Sequence, residues 1–519
     1  MKKVDIKLLL VIIVFLTFFS RLYRIDNPIA DWHSFRQADT ASVTREYVKN
    51  GIDILRPHYH DLSNIQSGEN NLEGWRMVEM PFVNALIASV IRINPSLKME
   101  IVSRLFSISF SVGTAISLFF LVKKISGREV AFYSSLVFAL LPFSVFYGRT
   151  ILPEPAMLFF STSSILFFTF YLDSKKNVIK IFNYFLSLLF LALAILLKPF
   201  VAFLGPIYLV LALLKYKQKI FFHLELIVFG LIAFVPFYLW REWIKNFPSG
   251  IPASDWLFNG NEIRLRPAWF RWLFYERLTK LILGWWGWLF ILANWINLDL
   301  KAWRENFSNK LKSVFSDKNL IREISVYGSW ISGVLIYLIV MATGNVQHDY
   351  YQVFTLPIIS IMVGRGIHQL IIYIEKQLSK NSYKNIDKKV KQFIPFIAVS
   401  LIFCLMLKVS WENVKGYFNV NHWEYVKAGQ AIDELTPPDA KVIAPAFGDT
   451  IFLYQTNRTG WPIGFEIEDK VNLGAEYYVS TSYDDEARTI EEKYTTIMKT
   501  DDFIIIKLQE KDLTKNSEE

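Results

Sequence analysis

Hydrophobic residues in this chain gather in long runs separated by short polar intervals, the pattern of helices buried in lipid rather than of soluble elements. Eleven runs predict transmembrane helices, near 8–19, 102–122, 129–147, 155–172, 181–197, 199–215, 221–240, 281–299, 324–342, 353–374 and 393–409. After the first run comes Ser20-Arg21-Leu22-Tyr23-Arg24, where a cleaved leader would carry small residues, so an uncleaved first helix is expected. The stretch 82–93 is shorter and carries Arg92, which predicts an interfacial helix.

The polar intervals orient these helices. Lys123, Lys124 and Arg128, then Lys175, Lys176 and Lys180, then Lys215, Lys217 and Lys219 fall on one side, with the basic stretches 301–322 and 376–391. By the positive-inside rule that side is cytoplasmic. The outside then receives 24–81, 241–280 and everything after about Ser410. In the last piece, Lys441–Ala444, Tyr477–Val479 and Phe503–Ile506 predict strands and Asp449–Gln455 a short helix, with a frayed charged tail after Lys507. The expected fold is a polytopic α-helical membrane protein of about 11 transmembrane helices, with outside juxtamembrane helices and a small C-terminal α/β domain. Residues 1–409 form the membrane domain, with outside loops 24–81 and 241–280, and 410–519 the extracytoplasmic domain. An inner cell membrane is the expected location.

Composition narrows the function classes. Of 519 residues 53% are hydrophobic and only 20% charged, against about 25% in soluble domains. The net charge of +9 sits in loop clusters that orient helices, so no nucleic-acid partner is implied. Gly (23) and Pro (19) are too few, and aromatics too many, for disorder. A single cysteine, Cys404, excludes an internal disulfide and a Cys-based zinc cage.

Ionisable residues collect at the outer ends of the helices, where they are costly and commonly functional. Asp39 and Thr40 are expected in the first turn of a helix, as an N-cap or as a base kept ionised by Arg36 three residues earlier. Glu79, before Pro81, reads as a solvated carboxylate or, with a distant His such as His348, as a divalent-metal ligand. Glu154 lies between Pro153 and Pro155 in a short loop with Arg149. Lys198-Pro199 separates two apolar runs and offers a cation to a lipid headgroup or to the interface. Tyr350 and Tyr351 follow His348 as an aromatic belt or, with His58, as substrate contacts. Carboxylates for proton abstraction and cations for a phosphate are the parts of a group transfer from a lipid-linked phosphate donor. No Walker loop or dinucleotide fingerprint is present.

Four motifs in order, Arg36-Gln37-Ala38-Asp39-Thr40, Val78-Glu79-Met80-Pro81, Gly148-Arg149 with Pro153-Glu154-Pro155, and His348-Asp349-Tyr350-Tyr351, resemble the C-type superfamily of integral-membrane glycosyltransferases. The likeness is to the bacterial branch with protein mannosyltransferases and the lipid A aminoarabinose transferase, and it covers roughly 5–375. It implies that a sugar moves from a polyprenyl phosphate to an acceptor on the outer membrane face, usually with inversion. By that resemblance Asp39 is the first-loop acid acting on the acceptor and Glu154 the second-loop acid. Arg149 and Lys198 would hold the donor phosphate, with Arg36 beside them. Glu79 matches the acid of a Glu-Lys-Pro motif that can carry a metal, with Met80 in place of the lysine. The acceptor is left open as lipid, glycan or protein. Two rival classes are a transporter or flippase of polyprenyl-linked glycans, disfavoured by ionisable groups at one face rather than the midplane, and a non-catalytic membrane subunit.

Overall fold

A computed structural model describes residues 5–294, 317–379 and 387–510. Among the described residues eight helical segments are long and apolar enough to cross a membrane: Met99–Ser126, Glu154–Asp173, Asn177–Leu197, Pro199–Phe222, Leu224–Ile244, Lys318–Val340, Asp349–Leu378 and Val390–Leu435. Each coincides with a predicted run. Among the other three, the first is the 15-residue helix Ile6–Ser20. The run 281–299 begins as Gly287–Ala293, and its end, with the basic stretch 301–316, lies outside the described residues.

The run 129–147 is not one helix. It breaks at Leu141 into Arg128–Leu140 and Pro142–Tyr147, because Pro142 has no N–H to continue the ladder. The carbonyls at the break are satisfied by side chains, Ser144 Oγ donating to Phe138 O at 2.7 Å and Ser20 Oγ to Ala139 O at 3.1 Å. Buried Arg21 donates to Phe138 O, Ala139 O and Ser144 O at 3.1–3.2 Å. Sequence reading had given Arg21 no role beyond flanking a helix.

Compactness divides the chain into two units, the first comprising 1–23, 105–239 and 254–416. Its central helix is Glu154–Asp173, of whose apolar window 83% is buried, whereas Leu224–Ile244 buries 17% and presents its apolar face outward. Small and hydroxylated residues let the helices approach, as expected where lipid offers no hydrophobic drive between them. Ser164 donates to Ser187 O at 2.7 Å, and Ser117 bonds Ser163 at 2.8 Å. At Gly364 a Cβ would lie 2.3 Å from Ser134 N, so the backbones touch only because the side chain is absent.

The second unit comprises 24–104, 240–253 and 417–519, so the first polar loop and the C-terminal residues fold together. Its sheet holds β1 (Lys441–Ile443), β2 (Thr459–Trp461), β3 (Ala475–Ser480), β4 (Tyr494–Lys499) and β5 (Ile504–Glu510) in the order β2-β1-β3-β5-β4. β1 is parallel to β2 and β3, while β5 is antiparallel to β3 and β4. Period-two alternation sorts the side chains. Val442, Val479 and Ile505 pack on one face with Ile432 and Phe452, and Ile443, Tyr478, Ile504 and Ile506 on the other with Ile490. β2 and β4 were not anticipated from sequence, the first being three residues long. The expected fraying after Lys507 is corrected as far as Glu510, which pairs with Tyr494; residues 511–519 lie outside the described set.

The first loop adds to this sheet. His60 O accepts from Gly460 N at 2.9 Å, and Leu62 N donates to Gly460 O at 2.8 Å, so 60–62 run parallel beside β2. Gly460 is obligatory, since a Cβ there would meet Val442 O at 1.7 Å.

Candidate functional site

Two polar clusters form, one in each unit. In the second unit the helix Ser34–Asn50 starts five residues before Asp39, after His33 in the left-handed region (φ 53°). This corrects the expectation of a first-turn or N-cap aspartate. Asp39 lies in the second turn, where the helix's own amides are already bonded, and is satisfied by distant side chains. Arg76 Nη2 lies 2.8 Å from its Oδ2, Thr450 Oγ1 donates to Oδ1 at 2.7 Å, and Gln66 Nε2 to Oδ2 at 3.2 Å.

Arg36, expected beside Asp39, instead has both Glu79 oxygens 2.7 Å from its Nη2. One helical face thus carries Arg36 and Asp39 each bound to a partner of opposite charge, and Arg36, Asp39, Arg76 and Glu79 line one small cavity. Arg76 is fixed further by a bond to Gln66 Oε1, and its guanidinium stands 4.9 Å from the Tyr59 ring centroid.

Behind this pair, buried His60 bonds Thr450 O at 3.2 Å. Burial lowers its pKa to about 3, against the opposing pull of Asp39. Burial also pushes the neighbouring Asp61 carboxyl up to about 6, although Ser63 donates to it. His58 is placed elsewhere in the loop, its Nδ1 2.6 Å from Glu73 O and its ring against Trp75.

In the first unit Pro199 forces Lys198 into extended backbone (φ −148°, ψ 108°), which ends the helix Asn177–Leu197 and sends the side chain off its axis. Glu154 occupies the first turn of Glu154–Asp173, between prolines whose missing amides cost nothing there. Lys198 Nζ lies 3.0 Å from Glu154 Oε1, both side chains being buried, and 5.9 Å from the Tyr351 ring centroid. Neither Glu154 oxygen accepts a well-aligned hydrogen bond among the described residues.

Tyr351 adjoins Tyr350, and His348 stacks on Tyr350 with Trp256 at its edge. Arg149 is buried near the end of the same segment that leads to Glu154, its guanidinium 5.7 Å from the Phe146 ring centroid. Asp349, named in the sequence only as part of its motif and given no role, is fully buried, accepts from Tyr147 and faces Arg277 at 3.7 Å.

The donor set does not suit a metal ion. Among the described residues no group of three or more His, Cys, Asp or Glu side chains is placed to hold one. Of the two candidate ligands, Glu79 has both oxygens engaged by Arg36, and the His348 ring stacks on Tyr350.

Residues 79–240 match the family described as dolichyl-phosphate-mannose-protein mannosyltransferase. No curated protein matches the chain. The structure is similar to ArnT from Cupriavidus metallidurans bound to undecaprenyl phosphate, with a TM-score of 0.62 at 10% identity over 97% of this chain and 98% of that one. It is also similar to the archaeal oligosaccharyltransferase AglB from Archaeoglobus fulgidus in complex with an inhibitory peptide and a dolichol-phosphate, with a TM-score of 0.56 at 11% identity over 91% and 69%. The Archaeoglobus fulgidus oligosaccharyltransferase complexed with Zn and sulfate matches at 0.55 and 11%, over 91% and 68%. A part of the chain thus matches a mannosyltransferase family model, and the multi-pass membrane protein shares the fold of these polyprenyl-phosphate-binding structures.

Proposed function

We propose that the protein transfers a sugar from a polyprenyl-phosphate-linked donor to a lipid, glycan or protein acceptor at the extracytoplasmic face of the cell membrane, with inversion. The observation that carries this reading is Asp39, a buried carboxylate held in one orientation by Arg76 and Thr450. A base must be aimed before the acceptor arrives, and Arg76 at 2.8 Å with Thr450 at 2.7 Å fixes the orientation of this carboxylate.

In the proposed step the acceptor hydroxyl gives its proton to Asp39 while its oxygen bonds the anomeric carbon. The bond from that carbon to the phosphate oxygen breaks, and the polyprenyl phosphate leaves with the electron pair. Lys198 and Arg149 stabilise the charge gathered on the leaving phosphate. Glu154 orients Lys198, and Arg36 with Glu79 stiffens the helix that carries Asp39. Tyr350, Tyr351 and His348 form a packed aromatic cluster beside Lys198 that would flank a sugar or a prenyl chain. One base and no enzymic nucleophile give a single displacement, as in inverting glycosidases. The undecaprenyl and dolichol phosphates bound in the similar structures support the donor class.

Membranes supplied with a polyprenyl-phosphate-linked radiolabelled sugar test the proposal. Wild-type protein should label an endogenous acceptor and Asp39→Asn should not. Undiminished labelling by Asp39→Asn would remove the base role.

A further inference from the structure

A cleft of about 580 Å³ opens on the α/β unit between Ser63–Asn70 of the first loop and Trp461–Leu473. That volume is typical of small-ligand sites. The pairing of 60–62 with β2 ties its two walls together.

The lip carries the amides of Asn64, Asn70 and Asn472 and the carboxylates of Glu466 and Asp469. Amides both donate and accept while carboxylates accept, which matches vicinal hydroxyls that do both. Phe465, 69% exposed, stands at the same lip as a flat apolar face.

Its backbone is held at a cost. Phe465 and Glu466 are both left-handed, with φ of 59° and 46°, a conformation non-glycine residues sustain only when their surroundings enforce it. Here Glu486 accepts from Phe465 N at 2.6 Å and from Tyr478 OH at 3.1 Å, and Lys470 donates to Gly464 O at 3.1 Å and to Phe465 O at 2.5 Å. Lys470 is the one cationic residue lining the cleft among the described residues, and its ammonium serves this turn. An anionic ligand would therefore meet two carboxylates and a cation already engaged.

We infer that this cleft binds an uncharged saccharide, ring face on Phe465 and hydroxyls on the Asn and carboxylate lip, as the glycan part of the acceptor. Its role as acceptor site rests on the transfer reading above, whereas the binding itself does not. Isothermal titration of the full-length protein in detergent tests it, with maltotriose, mannotriose, chitotriose and trigalacturonate as probes. At least one neutral trisaccharide should saturate a single site, trigalacturonate should bind at least ten-fold more weakly, and Phe465→Ala and Asp469→Asn should each weaken binding ten-fold or more. Asp39→Asn should bind as wild type does while failing to transfer; normal transfer by that variant would sink the base assignment and leave the cleft standing. Absence of binding by every neutral trisaccharide, equal binding of trigalacturonate, or unchanged affinity in both cleft variants would overturn the inference.

Discussion

The carboxylates of Asp39 and Glu154 are both buried and both paired with a cation, yet their surroundings differ. Asp39 has a guanidinium, a hydroxyl and an amide, contributed by residues far apart in the chain. Glu154 has one ammonium, close in space but poorly aligned for hydrogen bonding. A group that must take a proton along one trajectory benefits from fixed orientation, which several directional bonds supply. On the proposed mechanism the second carboxylate instead orients a lysine for a phosphate, a task that proximity serves. The proposed division of work matches one carboxylate held by several directional bonds and the other facing an ammonium.

The sharpest way to break the comparison is Asp39→Asn. On the proposed mechanism it lowers kcat by roughly 10²–10⁴-fold, the usual worth of a general base, while detergent-extracted protein elutes as wild type does. A drop no greater than that of Glu154→Gln would mean that the two acids do not divide the work as proposed. Next in size, Lys198→Ala should raise the apparent KM for the polyprenyl-phosphate sugar about ten-fold, the value of one tenfold step at 1.4 kcal/mol, with a smaller change in kcat. No change in either constant would make Lys198 merely structural.

Thr450→Val tests the network itself. Losing one hydrogen bond to a charged acceptor costs about 1.5–3 kcal/mol, so kcat should fall with little change in donor KM. Equal loss in both would show that Thr450 acts on the fold rather than on Asp39.

The smallest expected effect is on stability. His60 is held neutral in the fold, its pKa lowered from 6.5 to about 3 by burial, so the unfolded chain takes up a proton first as pH falls. Its contribution is intact above pH 6.5 and is lost as pH falls toward 3. Asp61 opposes it. Its pKa is raised from 3.8 to about 6, so its ionised form is a burden above pH 6 that is relieved as pH falls toward 3.8. Between pH 6 and 4 the two groups oppose each other with equal slope, so apparent Tm should change little there. His60→Gln removes one side of that balance, so apparent Tm should then rise as pH falls through the same window. An unaltered profile would show that His60 is not the group that titrates.

Much of the fold could be read directly. Apolar runs marked all eight long membrane helices among the described residues, because a segment in lipid must be continuously apolar and must satisfy its backbone within itself. The break at Leu141 was missed although Pro142 was visible. Hydropathy is blind to a kink, and only the approach of Arg21, Ser20 and Ser144 shows where the freed carbonyls go. At the site, residue types and their order picked out Asp39, Glu79, Glu154 and Lys198, but the pairings were harder. Adjacency in sequence suggested Arg36 for Asp39, while Arg76 takes that place and Arg36 goes to Glu79.

What the sequence determined by itself is the membrane character, the helices and the kinds of chemistry gathered at their ends. These follow from local rules, the cost of polar groups in lipid and the limits proline sets on the backbone. Tertiary structure alone decided which charge meets which. Thr450 reaches Asp39 across 411 residues, and 60–62 complete the sheet edge at Gly460, once the first loop and the C-terminal residues have folded as one unit. Contacts at such separation leave no periodicity in the chain, because they arise from packing and not from the spacing of neighbours.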